Sequence, residues 1–325
     1  MPISGDQIFG VTAATFEELS LRVFRLQAAN NPVYRQFIGT IGIEPASVST
    51  VEGIPFLPIR FFKTHRIVSN DKPPQRVFKS SGTTEAIRSL HHVTDLSLYS
   101  RSLQLSFERF YGPAHQMTLL AMLPTREEAP DSSLVFMASE LIRLSNHRLS
   151  AFYWNDPKTF IEAIKSSLTE GRQTVAVGLT SKWLELAEGF STDLAGAIIM
   201  ETGGMKGGRE LVREELHDIL SRAFNVQHVH SEYGMTELLS QAYATQGGHF
   251  ISPPWMRVLV RDIYDPMSLV SDERTGVINI IDLANMHSCS FIATDDLGLL
   301  HSDGAFEVLG RLDDSDIRGC NLMTG

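Results

Sequence analysis

Apolar and polar positions follow two different rhythms along this chain. Up to about residue 254, short apolar runs alternate with longer stretches of helical spacing. Phe16, Leu19, Val23 and Leu26 recur at helical intervals, so a helix is predicted over 16–29, with Thr15 as its N-cap and Asn30-Asn31-Pro32 as its end. The same pattern predicts helices over 96–110, 133–144, 157–168, 181–188 and 208–224, Pro157 being suited to a first turn. Between them, 117–123, 174–179, 195–200 and 226–230 are apolar nearly throughout and predict buried strands. Segment 54–59 carries two prolines and is predicted as extended chain rather than an interior strand. Val77-Phe78 is predicted as a short strand. From Trp255 onward the rhythm changes. Short strands over 256–260, 276–281, 290–293 and 305–309 are separated by Asp/Gly turns, as in an antiparallel sheet. The expected fold class is therefore α/β, with parallel strands flanked by helices over 1–254 and a smaller β-rich subregion with a tail over 255–325.

Composition narrows the function classes. Hydrophobic residues make up 43% and charged residues 20% of the 325, which excludes a disordered chain. The net charge of −10 argues against nucleic-acid or anionic-membrane partners. Its two cysteines, Cys289 and Cys320, form no disulfide framework and no metal-binding spacing, which implies a reducing compartment. No signal peptide opens the sequence and no apolar run is long enough to span a bilayer, so a cytoplasmic location is expected. His91, His92, His228 and His230 lack zinc-site spacing and are read as structural.

Three polar constellations carry chemistry. Ser80-Ser81-Gly82-Thr83-Thr84 places hydroxyls around a glycine, a turn able to offer N–H and O–H groups to phosphate oxygens, although a solvated turn reads the same. Tyr233-Gly234-Met235-Thr236-Glu237 follows a predicted parallel strand, and ligands of α/β folds bind beyond such strand ends. There an aromatic ring, a hydroxyl and a carboxylate could serve a base, a phosphate and Mg²⁺; a capped helix start fits equally. Thr294-Asp295-Asp296 and Gly310-Arg311-Leu312-Asp313 offer a carboxylate and a guanidinium suited to ribose hydroxyls. Hairpin turns explain the nearby Asp303 well and Arg311 poorly.

Taken together and in this order, the constellations resemble the adenylate-forming superfamily of acyl-CoA synthetases, luciferases and peptide-synthetase adenylation domains. Ile54-Pro55-Phe56-Leu57-Pro58, Phe62-Lys63, Phe78-Lys79-Ser80-Ser81-Gly82-Thr83-Thr84, Glu201-Thr202-Gly203-Gly204 and Arg318-Gly319-Cys320 resemble more closely the acyl-protein synthetases of bacterial luminescence operons (LuxE type). The resemblance implies an N-terminal adenylation domain with the mobile C-terminal domain largely absent. It implies ATP and Mg²⁺ as cofactors, with coenzyme A an alternative acceptor. Ser80 to Thr84 would hold the β- and γ-phosphates. Tyr233 would stack on adenine, with Gly234 beside it; Thr236 would touch the α-phosphate, Glu237 would bind Mg²⁺, and Asp296 and Arg311 would hold the ribose. Cys320 would carry the acyl group as a thioester.

This sequence departs from the superfamily in three places. Glu85 and Arg88 stand where glycine and lysine are usual; the aspartate motif reads Thr294-Asp295-Asp296; and little chain follows Asp313 to supply the usual catalytic lysine, for which Lys206 is the substitute considered. The expected activity is ATP-dependent activation of a carboxylic acid, a fatty acid by the resemblance, followed by transfer to a thiol, Cys320. The alternatives are an acyl- or aryl-CoA ligase and, from another class, a non-catalytic nucleotide- or acyl-binding subunit. Acyl-transfer partners such as a reductase or thioesterase follow from the same resemblance.

Overall fold

A computed structural model of the chain describes residues 3–81, 87–203 and 211–312. By compactness the chain divides into two units. One takes the chain up to Tyr99, then 237–240, then Ile251 onward; the other takes 100–236 and 241–250. Strand rhythm places a boundary at 254/255, whereas compactness groups the amino-terminal helices with the β-rich segment.

The second unit is built on a six-stranded sheet in the order Ala151–Phe152, Met117–Met122, Gln173–Leu179, Ala197–Thr202, Val229–Tyr233, Ala242–Ala244. Neighbours are parallel up to Val229–Tyr233, and the last strand returns antiparallel. Met117–Met122 is buried at every position, as a strand covered on both faces requires. Helices Ser133–Ser145, Pro157–Thr169, Thr180–Gly189 and Arg213–Phe224 pack on the sheet. Leu120, Phe160, Ile164, Trp183, Ile199 and Phe224 fill the core between them. Fully burying side chains of this kind is worth about 1.5–3 kcal/mol each.

Local chemistry explains where the elements begin. Pro157 opens its helix with Asp156 Oδ1 accepting from Thr159 N at 3.0 Å, as its position predicts. The strand expected over 226–230 forms at Val229–Tyr233 instead. Asn225 ends the preceding helix in the left-handed region, at φ 53°, and Val226 N donates back to Ser221 O, so sheet pairing starts later. The first long helix is Ala13–Asn30, with Thr12 rather than Thr15 as its N-cap. Thr15 sits within the first turn and its hydroxyl accepts from Thr12 N.

The first unit centres on an antiparallel sheet. Phe291–Leu300, longer than the predicted 290–293, pairs with Thr275–Asp282, which pairs with Met256–Arg261. The other edge of Phe291–Leu300 is shared. Leu57–Pro58 runs parallel along Ile292 and Ala293, and Phe306–Arg311 runs antiparallel along Asp296 to Leu300. Pro58 thus sits on an edge strand, where its missing N–H is tolerated. Buried polar side chains tie the amino-terminal helices to this sheet. Gln27 Nε2 donates to Asn285 O, Met286 O and Ser290 Oγ, and Gln27 Oε1 accepts from Ser290 N. Asn31 Nδ2 donates to Ser288 O at 3.0 Å while Asn31 Oδ1 caps Val33 and Tyr34. A two-stranded hairpin, Arg76–Lys79 with Leu90–Val93, completes the unit. Among the described residues no helix is long and apolar enough to cross a membrane.

Candidate active site

The first unit holds one part of each polar constellation: Ser80 and Ser81, Glu237, and Asp296 with Arg311. The hairpin holds the start of the phosphate-loop candidate: Ser80 N donates to Ser89 O at 3.1 Å, and Ser80 Oγ accepts from Ser89 N at 2.9 Å. Ser81 is exposed. Gly82, Thr83 and Thr84 lie outside the described residues, as do Lys206, Asp313 and Cys320.

Glu237 is only 4% exposed. Burial, the largest influence, pushes its carboxyl above the ordinary carboxylate range. A hydrogen bond with the Ser89 side chain and the charge of Arg311 pull it back, while Asp296 pushes it further up. Ser89, Asp296 and Arg311 therefore each act on Glu237, although they are far apart from it in sequence. Arg311 stands opposite Asp296 in the strand ladder, with Nε 3.9 Å from Asp296 Oδ1. Asp296 is oriented through its backbone, whose N–H donates to Thr294 Oγ1 at 3.0 Å; that hydroxyl in turn donates to Ile278 O at 2.8 Å.

A buried scaffold fixes Glu237 and the residues after it. Asn285 Nδ2 donates to Glu237 O at 2.8 Å and to Cys289 O at 2.9 Å, and Asn285 Oδ1 pairs with His91 Nε2 at 3.0 Å. Asp282 accepts from Leu239 N at 2.8 Å, Ser240 Oγ at 2.6 Å and Ala284 N at 3.1 Å. Trp255 Nε1 donates to Ser240 Oγ at 3.0 Å. Burial pushes Asp282 up to about 6 in spite of these donors. The sequence pattern does not single out this scaffold. The available signal was a lone carboxylate in the apolar run Ile280-Ile281-Asp282-Leu283.

In the second unit the candidate residues stand at the carboxyl ends of the parallel strands. Tyr233 closes its strand. It is 8% exposed, with Phe250 at 5.8 Å between ring centroids and 57° between planes. No helix follows Tyr233; Gly234 and Thr236 lie in an irregular turn, which removes the capped-helix alternative. Two further carboxylates stand here. Burial pushes Glu201 up, but hydrogen bonds with His217, Ser231 and Thr180 and the charge of Arg213 outweigh it and hold Glu201 below its ordinary value. Thr180 Oγ1 donates to Glu201 Oε2 at 2.6 Å, and Arg213 Nε lies 3.6 Å from Oε1. Glu232 is pushed up to about 7, by burial first and also by the charge of Glu201. The hydroxyl of Thr202, which donates to Glu232 Oε2, opposes the rise.

His91, His230 and Cys289 are packed away from solvent to different degrees. His91 is fully buried, and burial first of all holds His230 down at about 4. Cys289 is completely buried, its thiol donates to Phe291 O, and burial pushes it up to about 12. This is the packed thiol its sequence context predicts.

The donor set around Glu237 fits a hard cation. Glu237 is an oxygen donor of the kind such a cation takes, and burial, with the charge of Asp296, pushes its carboxyl above the ordinary range, which a bound cation would counter.

No protein-family model matches this chain, and no curated protein matches it. Solved structures do share its fold. Over its whole length the chain matches 78% of a 2-hydroxyisobutyryl-CoA ligase, solved with 2-HIB-AMP and CoA in the thioesterification state, at TM-score 0.68 and 16% identity. An open conformation of the same ligase gives TM-score 0.66 and 15% identity over 100% of this chain and 85% of that one. Over 72% of its length it matches ATP-bound MatB from Rhodopseudomonas palustris at TM-score 0.56 and 16% identity. The chain spans only 47% of that MatB chain. The mixed α/β architecture, with its parallel sheet flanked by helices, is thus the fold of adenylate-forming ligase N-terminal domains.

Proposed function

We propose that the protein activates a carboxylic acid with ATP as an acyl-adenylate and passes the acyl group to a thiol. One observation carries this reading: Ser89 beside the phosphate-loop candidate, Asp296 and Arg311 each act on Glu237 across large sequence separations, and Arg311 also faces Asp296. A carboxylate oxygen of the acid attacks the α-phosphorus of ATP. A new C(O)–O–P bond forms, the α–β phosphoanhydride bond breaks, and pyrophosphate leaves. The protein's part is positioning and charge neutralisation. Glu237, with Asp296 nearby, would hold Mg²⁺, which supplies charge compensation to the phosphates when bound. Arg311 and Asp296 would hold the ribose. Ser80 to Thr84 would hold the phosphates, Lys206 would stand in for the family's lysine, and Tyr233, Gly234 and Thr236 keep the roles the resemblance assigns.

In the second step a thiolate attacks the acyl carbon and AMP leaves. If a thiol of this chain is the acceptor it is Cys320, since the only other cysteine is buried with its thiol near 12. That would make the protein an acyl-protein synthetase, working with an acyl-transfer partner such as a reductase or thioesterase in the cytoplasm. The second reading is an acyl-CoA ligase. It is favoured by the CoA-bound ligase structures whose fold this chain shares.

Exchange of labelled pyrophosphate into ATP, dependent on added acid, tests the first step. The panel should contain fatty, aryl and 2-hydroxyisobutyric acids. Absence of exchange with every acid would refute adenylation. Labelled acid retained covalently by wild type and lost from Cys320→Ser supports the protein thioester; stoichiometric consumption of coenzyme A with no retained label refutes it.

A further inference from the structure

A cluster of buried polar side chains lies in the parallel unit, on the face of the sheet away from the Tyr233 ring. Successive strand residues face opposite sides, so Ser231 and Tyr233 share one face of Val229–Tyr233, and His230 and Glu232 share the other. The ladder places Thr202 beside Glu232 on one flank and Tyr243 on the other. Aromatic rings wall this side. Tyr243 stands 5.5 Å from Tyr111 and 6.3 Å from Phe107, and the Tyr111 hydroxyl pairs with His230 Nδ1 at 3.2 Å.

Glu232 and Gln241 meet here around Gly234. A Cβ at position 234 would stand 2.6 Å from Glu232 Oε1 and 3.5 Å from Gln241 Cγ, so glycine allows the carboxyl to fold against the backbone beside the amide. Gln241 is 3% exposed, and its amide oxygen has no hydrogen-bond partner among the described residues. A buried acceptor without a donor is unfavourable, and a ligand that brings a donor relieves it.

We infer that Glu232 and Gln241 read a hydroxyl on the acid, so that the preferred substrate is a hydroxy acid rather than an unsubstituted hydrocarbon acid. The inference rests on the adenylation reading above. With the base against Tyr233, the opposite face of the strand is left to the other substrate. A hydroxyl donates to Gln241 Oε1 and pairs with Glu232 in either protonation state. An ammonium group would need Glu232 ionised beside Glu201, and burial together with Glu201 pushes Glu232 the other way.

The test is pyrophosphate exchange with acids of one chain length: unsubstituted, amino-substituted, and a series with the hydroxyl at successive carbons. For wild type, kcat/KM for the best hydroxy acid should exceed that for the unsubstituted acid by ~10²-fold or more, as expected where buried polar groups read a hydroxyl. Gln241→Leu should erase most of that preference and leave KM for ATP unchanged. A preference below tenfold in wild type overturns the inference while leaving adenylation standing. A preference for the amino acid also overturns it, as does a change of ATP-over-GTP selectivity in Gln241→Leu. Failure of every acid removes the adenylation reading and this inference with it. Should Gln241→Leu not fold, the wild-type acid series decides alone.

Discussion

Each of the two units treats its own pair of buried carboxylates in opposite ways. In the antiparallel unit, Asp282 receives donors from Leu239, Ser240 and Ala284 and serves as scaffold. Glu237, carried on the segment that scaffold holds, is left with Ser89 and the charge of Arg311 against burial and Asp296. In the parallel unit, Glu201 collects Thr180, His217, Ser231 and Arg213, whereas Glu232 on the adjoining strand has Thr202 opposing burial. Each unit therefore pairs a carboxylate that receives several hydrogen bonds with one that receives fewer. A satisfied carboxylate holds backbone in place. A poorly compensated one responds to whatever charge or donor a ligand brings.

The strongest way to break this comparison is to neutralise one member of each kind. Glu237→Gln should lower acid-dependent pyrophosphate exchange by ~10²–10³-fold, the usual cost of losing one preorganised electrostatic contact, with little change in melting temperature. Asp282→Asn should do the reverse. It removes an acceptor from buried donors and should cost about 1–3 kcal/mol of stability by urea unfolding, with a smaller loss of activity in the fraction that remains folded. If Asp282→Asn abolishes exchange in a fully stable protein, the assignment of Asp282 to scaffold is wrong.

The pair Glu201 and Glu232 sharpens the contrast through pH. Glu232 is raised from its ordinary 4.5 to about 7, so the folded state binds its proton more tightly than the unfolded state. Its contribution favours folding fully below about pH 4.5 and is lost as pH rises through about 7. Glu232→Gln removes that loss. Relative to wild type, this variant should gain stability between about pH 5 and pH 8, by on the order of 1–3 kcal/mol. Glu201 is held below its ordinary value, so its contribution is present above that value and is lost on acidification. Glu201→Gln should therefore be most destabilised at neutral pH and approach wild type as pH falls. Chemical unfolding of both variants across this range checks the two opposite slopes; parallel slopes would remove the distinction.

How much of this was legible in the sequence follows from what each feature depends on. The parallel strands could be read because both faces are covered, which leaves runs such as Met117 to Met122 apolar. Leu90–Val93 escaped because its pattern, Leu-His-His-Val, has no clear period and its histidines are placed by tertiary contacts such as His91 with Asn285. The two-residue strand Leu57–Pro58 exists only through pairing with Ile292 and Ala293, far away in sequence. At the site, Glu237, Asp296 and Arg311 could be singled out because their neighbouring residues form a resemblance. Asp282, Asn285 and Gln241 could not, because their importance lies in whom they bond or fail to bond. Alternation along a strand gave no means of telling that Glu232 and Tyr233, adjacent in sequence, serve opposite faces until the strand itself was located.

The smallest effect separates two other neighbours, Asp295 and Asp296. Asp295 Oδ2 is 3.4 Å from Arg60 Nε in a pair whose side chains are 22% and 49% exposed. Solvent screens such a pair, and its removal should cost less than about 1 kcal/mol, falling further at high salt. Asp296 is 15% exposed on its side chain and lies in the field of Glu237 and opposite Arg311. If it holds the ribose, Asp296→Asn should raise KM for ATP by about tenfold, the loss of one charged hydrogen bond, and leave KM for the acid nearly unchanged. Asp295→Asn should change neither by more than about twofold. Because the two substitutions are chemically identical and one residue apart, a local disturbance of the strand would affect both alike. Equal effects would show that Asp296 acts only through the fold; a shift confined to Asp296→Asn and to ATP would tie the nucleotide to the face of the strand that carries Arg311.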